Sequence, residues 1–554
     1  MKGLRVDSQT IQRRRWVILS VLVVGLLAIV IDNTVLNVAL KTIAEPPASG
    51  GLGASQSQLE WAINSYTLVF AGLLFTFGVL GDRIGRKRML MIGLALFGLG
   101  SLLSAFAHSP DQLIAARAAM GFGGAAVMPQ TLSIISNVFE PRERAKAIGI
   151  WASAVGIGVA AGPVLGGLLL ANFWWGSVFL INVPVTVLGA LAAFILVPDS
   201  KNPDPGRIDY LGVLGSIVGL VLLVYGIVQG GDGASWTSPG VLGSMLGGLA
   251  VLGLFAWWET RVSHPSLDVR LFRDRRLSAS VGAIALLFFG MGGVFFFTSF
   301  YLQNVRGYAP LDAGLLVVPF AVGQFITSPR SATLVSRYGA KAATAVGVLV
   351  NAVAIAGYSL LGTSTPIVFL AVLFFFQGAS IGVAMPAATA AVMDVLPRER
   401  AGAGSALTNT ARQVAVALGV AVLGSILAQS YRGHLGPQLA HLPAPAADAA
   451  GQSITATQAI AHQLGQAGQF LLAPAGSAFV DAMRVTTLTG AAVAVLGGLV
   501  VLRWMPGKAR PTMDAPAEAR IVEARPAEAK IADAELADAE LAELSAAEQE
   551  LSER

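Results

Sequence analysis

Residues 121–129 read GFGGAAVMP, and residues 378–386 read GASIGVAMP, an offset of 257. A little further on, PRERA stands at 141–145 and again at 397–401. Two matches in the same order point to an internal repeat. Long apolar segments run outward from each pair. Both pairs fall where the fourth and fifth segments of a six-segment unit join. The repeat therefore divides the chain into two similar halves of six segments, with two further segments inserted between them.

Composition says what those segments are. Of 554 residues, 55% are apolar and 12% are charged, against about a quarter charged in a soluble domain. Mean hydropathy is +0.68. An ordinary soluble enzyme is excluded. A helix needs about 20 apolar residues to cross a bilayer core. Fourteen runs qualify, near 16–40, 58–80, 89–107, 112–136, 146–171, 175–197, 209–229, 239–259, 278–302, 311–331, 340–362, 366–392, 403–428 and 480–503. The expected fold is all-α and integral to the membrane, with 14 transmembrane helices arranged 6+2+6.

Basic residues give the direction. With the N-terminus inside, 24 Lys and Arg fall in the N-terminal segment and the cytoplasmic loops, among them Arg13 to Arg15 and Arg270 to Arg276. Three, Lys41, Arg306 and Arg432, fall outside. Both termini are therefore expected in the cytoplasm. The same clustering explains the pI of about 9.5 and removes the case for a nucleic-acid partner. The expected divisions are a cytoplasmic N-terminus 1–15, a six-helix half 16–198, an inserted pair with its linker 199–260, a cytoplasmic linker 261–277 and a second half 278–504. The external loop 429–479, which holds His434, His441 and His462, reads as a partly helical cap or a disordered excursion. The charged tail 505–554 reads as a solvated, disordered or partly helical segment. The run 16–40 is too long for a signal-peptide core and has no Ala-x-Ala site, so the chain is expected to be a multi-pass protein of a bacterial plasma membrane.

The chain has no cysteine. Disulfides, thiolate metal sites and a thiol nucleophile are excluded. Its five histidines form no HExxH pair, and there is no GxxxxGK[ST] loop. No cofactor and no metal are expected, which leaves an ion gradient as the energy source. Two similar halves suit alternating access, with a site between them near the membrane midplane. No filter motif argues for a channel.

Asp32 stands out because an ionised carboxylate inside the bilayer is costly and so is functional by default. It lies roughly 12 Å below the outer end of its span, and Arg117 roughly 8 Å inside the fourth span, at 1.5 Å per residue. The two are expected to meet. A change in their separation would load or release a proton; a static ion pair is the alternative. The turn after span two, Gly78-Val-Leu-Gly-Asp-Arg-Ile-Gly-Arg-Lys-Arg88, reads as a gate, with Gly78, Gly81 and Gly85 for close approach and Asp82, Arg83, Arg86 and Lys87 for breakable ion pairs. Its second-half counterpart has Ser336 in place of Asp82, so the latch is expected to be asymmetric. Gly158, Gly162 and Gly166 form a smooth stripe, with Pro163 and Gly167 beside it, where another backbone can approach. The polar and aromatic candidates for a substrate cavity are Asn33, Asn37, Asn64, Tyr66, Phe297, Tyr301, Gln303, Gln324, Arg412 and Gln413. Arg412 has no evident acid partner in its own half. Apart from Asp32, acids fall at span ends or in loops. One interior carboxylate suits neutral lipophilic molecules and monovalent cations better than dications, and Phe295, Phe296, Phe297 and Phe300 supply rings for them.

These motifs resemble those of the major facilitator superfamily. The turn 78–88 is similar to that family's signature loop, and LIAARAAMGFGGA (113–125) to its second motif. GVAAGPVLGG (158–167) resembles the motif associated with its antiporters. IDNTVLNVAL (31–40), WAINSY (61–66) and YLQ (301–303) resemble the fourteen-helix drug:proton antiporter branch (EmrB/QacA type). Lys41 stands where that branch usually has proline. The resemblance covers residues 16 to about 504. It implies a major facilitator fold and a proton-coupled multidrug exporter that moves lipophilic neutral or monocationic compounds outward. Its partners would be that small-molecule substrate, protons and the lipid bilayer. It also implies that Asp32 and Arg117 carry the coupling and that 158–167 is a hinge that blocks proton leak. A second reading keeps the fold and changes the cargo to a lipid, an endogenous antibiotic or another specific metabolite. A membrane enzyme or signalling subunit would need a catalytic cluster, and the sequence has none.

Overall fold

The computed structural model describes residues 8–201, 208–231, 235–265, 267–395 and 401–505. The second PRERA lies at the edge of this set, with residues 397–400 outside it, and the tail from 506 also lies outside it. The long helices are α1 Ser8–Ala44, α2 Gln56–Ile84, α3 Arg86–Ala105, α4 Pro110–Val138, α5 Pro141–Asn172, α6 Asn182–Leu196, α7 Tyr210–Gly231, α8 Pro239–Glu259, α9 Arg275–Phe300, α10 Val318–Tyr338, α11 Ala340–Gly357, α12 Ile367–Val395, α13 Ala401–Leu439 and α14 Leu472–Trp504. Thirteen helical stretches are long and apolar enough to cross a membrane. In α5 the shorter apolar stretch is Ile157–Asn172.

Local chemistry sets the helix starts. Ser55 caps α2 in a reciprocal box with Gln58. Ser109 and Ser238 cap α4 and α8, each followed by a proline in the first turn. Asp274 accepts from the backbone N–H groups of Arg276 and Leu277 to open α9. Helix α1 starts at Ser8 rather than near 16. Its extra turns lead to Arg15, whose Nε lies 2.7 Å from Glu143 Oε2 of α5.

The repeat is visible in backbone geometry. Gly85 (φ +112) joins α2 to α3, and Gly339 (φ +88) joins α10 to α11. Both sit in the left-handed region that only glycine occupies at low cost. A Cβ on Gly121 would stand 2.7 Å from the carbonyl oxygen of Tyr66, and one on Gly378 1.8 Å from that of Phe320. Thus α4 touches α2 backbone to backbone, as α12 touches α10.

The halves meet in one continuous apolar core. Near the end that carries the α1–α2 loop, Gln303 Nε2 donates to Val38 O at 2.9 Å, and Lys41 Nζ to Gln303 O at 3.1 Å. The inserted pair lies across the outside of the seam. Val224, Ile227 and Val228 of α7 pack with Leu68 of α2 and with Ala417 and Ala421 of α13. Ser425 of α13 donates to Ile227 O at 2.9 Å. Helix α8 leaves Leu242, Leu246, Leu249, Leu254 and Trp257 exposed, the face a bilayer would cover.

The stretch 429–479 is an ordered cap, one of the two forms expected for it. Helix α13 runs on to Leu439, short helices follow at Ala444–Ala450 and Ile454–Gln463, and α14 already begins at Leu472. Asn304 Nδ2 donates to Gln458 Oε1 at 2.8 Å and Gln458 Nε2 donates to Asn304 O at 2.9 Å. The Tyr431 and Thr457 hydroxyls are 2.7 Å apart. Alanine-rich composition gives these residues helix propensity, and side-chain bonds to the second half fix them.

Candidate functional site

Five helices converge on Asp32. It lies on α1 with 0% of its surface exposed, and Arg117 of α4 with 1%. Arg117 Nη1 donates to Asp32 Oδ2, so the expected meeting takes place. Asn182, the first residue of α6, donates from Nδ2 to Asp32 Oδ1 at 3.1 Å and to Ser101 Oγ of α3 at 3.1 Å. Ser101 donates in turn to Phe179 O at 2.8 Å. Arg117 Nε donates to Ala62 O of α2 at 3.1 Å, and its guanidinium lies over the Tyr66 ring, 4.5 Å from the centroid. Asn33 Nδ2 donates to the Tyr66 hydroxyl at 3.2 Å. A buried ion pair persists only when further bonds satisfy its remaining donors and acceptors, and these contacts do so. The pair is enclosed.

Asn182 escaped the sequence reading. The signal was a polar residue within an apolar run, followed two positions later by Pro184. A break between the short helix Ser177–Leu180 and α6 presents it. Asn182→Leu should destabilise the folded chain by about 2 kcal/mol, the net value of a hydrogen bond to a charged group. The thermal midpoint of the purified protein reads this; an unchanged midpoint would refute the bond.

The glycine stripe of α5 faces the helix that carries Asp32. A Cβ on Gly158 would lie 2.8 Å from Val30, on Gly162 1.8 Å from Thr34 Oγ1, and on Gly166 2.7 Å from Val35. Pro163 and Gly167 face the other half. A Cβ on Gly167 would stand 2.6 Å from Pro310 O, and one on Gly314 2.2 Å from Pro163 O. Helix α5 is thus wedged between α1 and the short helix Pro310–Leu315.

The turn 78–88 packs within its own half. Arg86 Nε donates to Asp82 Oδ1 at 2.8 Å, one helical turn away. The Arg86 backbone N–H donates to Ser200 O at 3.0 Å. A Cβ on Gly81 would meet the Gln130 side chain at 2.2 Å, and one on Gly78 would lie 3.7 Å from Pro129. Lys87 Nζ sits 5.4 Å from the centre of the Phe194 ring. On the other side, Ser336 donates to Thr333 O of its own helix, so the two turns are held differently.

The candidate cavity residues separate into groups. Asn33 and Tyr66 belong to the Asp32 cluster. Asn37 and Gln303 line a small cavity of about 20 Å³ at the seam with Pro163, Phe295, Thr298 and Ser299. That is room for about one water molecule. Phe297 and Tyr301 lie inside the second half, where Phe297 packs edge-on against Tyr358 and Tyr301 donates to Gly362 O at 2.8 Å. Phe295 packs edge-on against Phe320 and Phe374, and Phe296 against Phe300. The phenylalanine run therefore fills the core by edge-to-face pairing. Gln324 is half-buried on α10, and Gln413 is buried on α13. Asn64 is fully buried on α2. Arg412 sits 5.5 Å from the centre of the Phe288 ring. Among acids at helix ends, Glu60 is more enclosed than its position implied, 2% exposed and close to Gly424 of α13.

Residues 22–420 match the family described as Major Facilitator Superfamily. Among curated proteins, the methyl viologen resistance protein SmvA of Salmonella typhimurium is 35% identical, over 76% of this chain and 83% of its own length. The multidrug efflux pump LfrA of Mycolicibacterium smegmatis is 34% identical, over 88% and 96%. The tetracenomycin C resistance and export protein of Streptomyces glaucescens is 30% identical, over 91% and 94%. Among solved structures, an inward-facing bacterial homolog of the human lysosomal transporter Spinster aligns with a TM-score of 0.59 and 18% identity. It covers 88% of this chain and 98% of its own.

Proposed function

The chain belongs to the Major Facilitator Superfamily, and on that premise we propose that it is a multidrug exporter of the plasma membrane, driven by protons and working by alternating access. Its cargo is lipophilic and neutral or monocationic. The relatives named for efflux and drug resistance support export; the neutral or monocationic charge rests on the Asp32 carboxylate alone, since methyl viologen, named in one relative, is a dication. In this reading α5 supplies a fourteenth span, both termini are cytoplasmic, and the end with the α1–α2 loop faces outward. The observation that carries the coupling is the enclosed Asp32–Arg117 pair, on a helix that the α5 stripe ties to the other half. Opening outward must part Gln303 from Val38 and Lys41, and Gly167 from Pro310. That motion moves α1 and α5 and changes the surroundings of Asp32. The outward state takes a proton at Asp32 and releases cargo; the inward state gives the proton up and admits the next molecule. The turn 78–88 acts as the cytoplasmic gate. No cofactor enters the cycle.

Ethidium movement in inverted membrane vesicles tests the reading. It is expected only under an imposed pH gradient and should stop when the gradient is dissipated. Movement that ignores the gradient would refute proton coupling. The export protein dedicated to tetracenomycin C favours a second reading, one endogenous antibiotic as cargo. A chain that ignores ethidium but moves such a compound would establish it.

A further inference from the structure

Arg412 is a cation the proposed cycle does not use. It lies six residues into the candidate span Ala406–Leu439, roughly 9 Å from its start. It is half-buried, and its Nε is sealed from solvent without an acceptor. Among the described residues it has no ion pair and no hydrogen bond. Its guanidinium is held by the Phe288 ring of α9. Five residues further along α13, Ala417 packs with Leu68 of α2, in the other half. Next to Arg412, Ala411 borders a cluster with Leu277 and Val281 of α9, which Phe75 of α2 also borders. Arg412 therefore sits on the seam between the halves.

Charge makes the position informative. Asp32 and Arg117 pair with one another, so neither is a counter-charge for Arg412. An unpaired arginine within a spanning helix is costly. Aromatic contact offsets part of that, and an anion offsets more. A guanidinium presents a planar fork matched to a carboxylate.

We propose that Arg412 is a docking point for the carboxylate of lipophilic acids and zwitterions, held beside the Phe288 ring. This deepens the export reading and rests on it for transport, but not for binding. It widens the cargo from neutral and cationic compounds to amphipathic carboxylates.

The test uses one chromophore in two forms, a rhodamine free acid, which is a zwitterion, and its methyl ester, a monocation. The readout is the ratio of acid to ester efflux in proteoliposomes. Arg412→Gln should lower that ratio at least about tenfold relative to the native chain, because losing one partner of a desolvated charge pair costs at least that. Arg412→Lys keeps the charge and should hold the ratio within about threefold of native. An unchanged ratio in Arg412→Gln overturns the proposal, as does an equal fall in both variants. If the native chain exports neither dye, the export reading fails. Dye binding by fluorescence anisotropy then decides. Acid preference that vanishes in Arg412→Gln keeps the docking point, and a preference that persists overturns it.

Discussion

Asp32→Asn should abolish gradient-driven ethidium efflux, by at least about a hundredfold, while dye exchange at equal pH persists. The amide keeps the shape of the carboxylate and can still meet Asn182. It cannot carry a proton on and off. It also leaves Arg117 buried without a counter-charge, beside the Ala62 carbonyl, Met120 Sδ and the Tyr66 and Phe179 rings. Stripping one partner from a buried pair costs about 3–5 kcal/mol, so reduced abundance is expected as well. A second variant separates the two effects. Asp32→Asn with Arg117→Met removes both charges, a change that is often neutral or stabilising. If the pair only holds α1 to α4, the double variant recovers efflux. If Asp32 carries the proton, it recovers stability and stays uncoupled. Full efflux in either variant would rule out Asp32 as the coupling site.

Gly162→Ala should lower efflux at least about tenfold and destabilise the fold by about 1–3 kcal/mol, the range for overpacking a close contact. The added Cβ would fall 1.8 Å from Thr34 Oγ1 and 2.9 Å from Thr34 Cβ. Thr34 has little room to turn, because its hydroxyl donates to Ile31 O at 3.0 Å. Helix α1 must therefore shift, two residues from Asp32. Gly247→Ala on α8 is the control, since a Cβ there meets nothing within 4 Å. It should leave efflux as it was. Thr34→Ala placed with Gly162→Ala removes the nearest atom and should restore part of the loss. Efflux in Gly162→Ala equal to that in the control would show that the α1–α5 contact plays no part in transport.

Some of the site could be read in one dimension and some could not. Asp32 and Arg117 were paired from depth alone, because a helix converts residue number into depth at a fixed rise. Asn182 and Tyr66 were not placed at the pair. Their contacts depend on how each helix is rotated about its axis. In a water-soluble helix a polar face reports that rotation. Here lipid and protein interior are equally apolar, so the sequence of a span does not say which side faces a neighbour. The phenylalanine run shows the same limit: Phe295 lines the seam cavity beside Asn37 and Pro163, while Phe297 packs against Tyr358 inside the second half.

The sequence by itself determined the all-helical membrane class, the two similar halves, the inserted pair and the mid-span carboxylate Asp32 with its arginine. These follow from local quantities, the length of an apolar run, the repeat of a motif and the cost of a buried charge. Only the tertiary structure decided that the inserted pair lies across the α2–α13 seam, that 429–479 is a folded cap, and that α5 is wedged between the Asp32 helix and the other half. It also placed Arg412 on the seam without a counter-charge. Those are facts of which surfaces meet, set by small residues that allow backbones to approach and by side-chain bonds between distant segments.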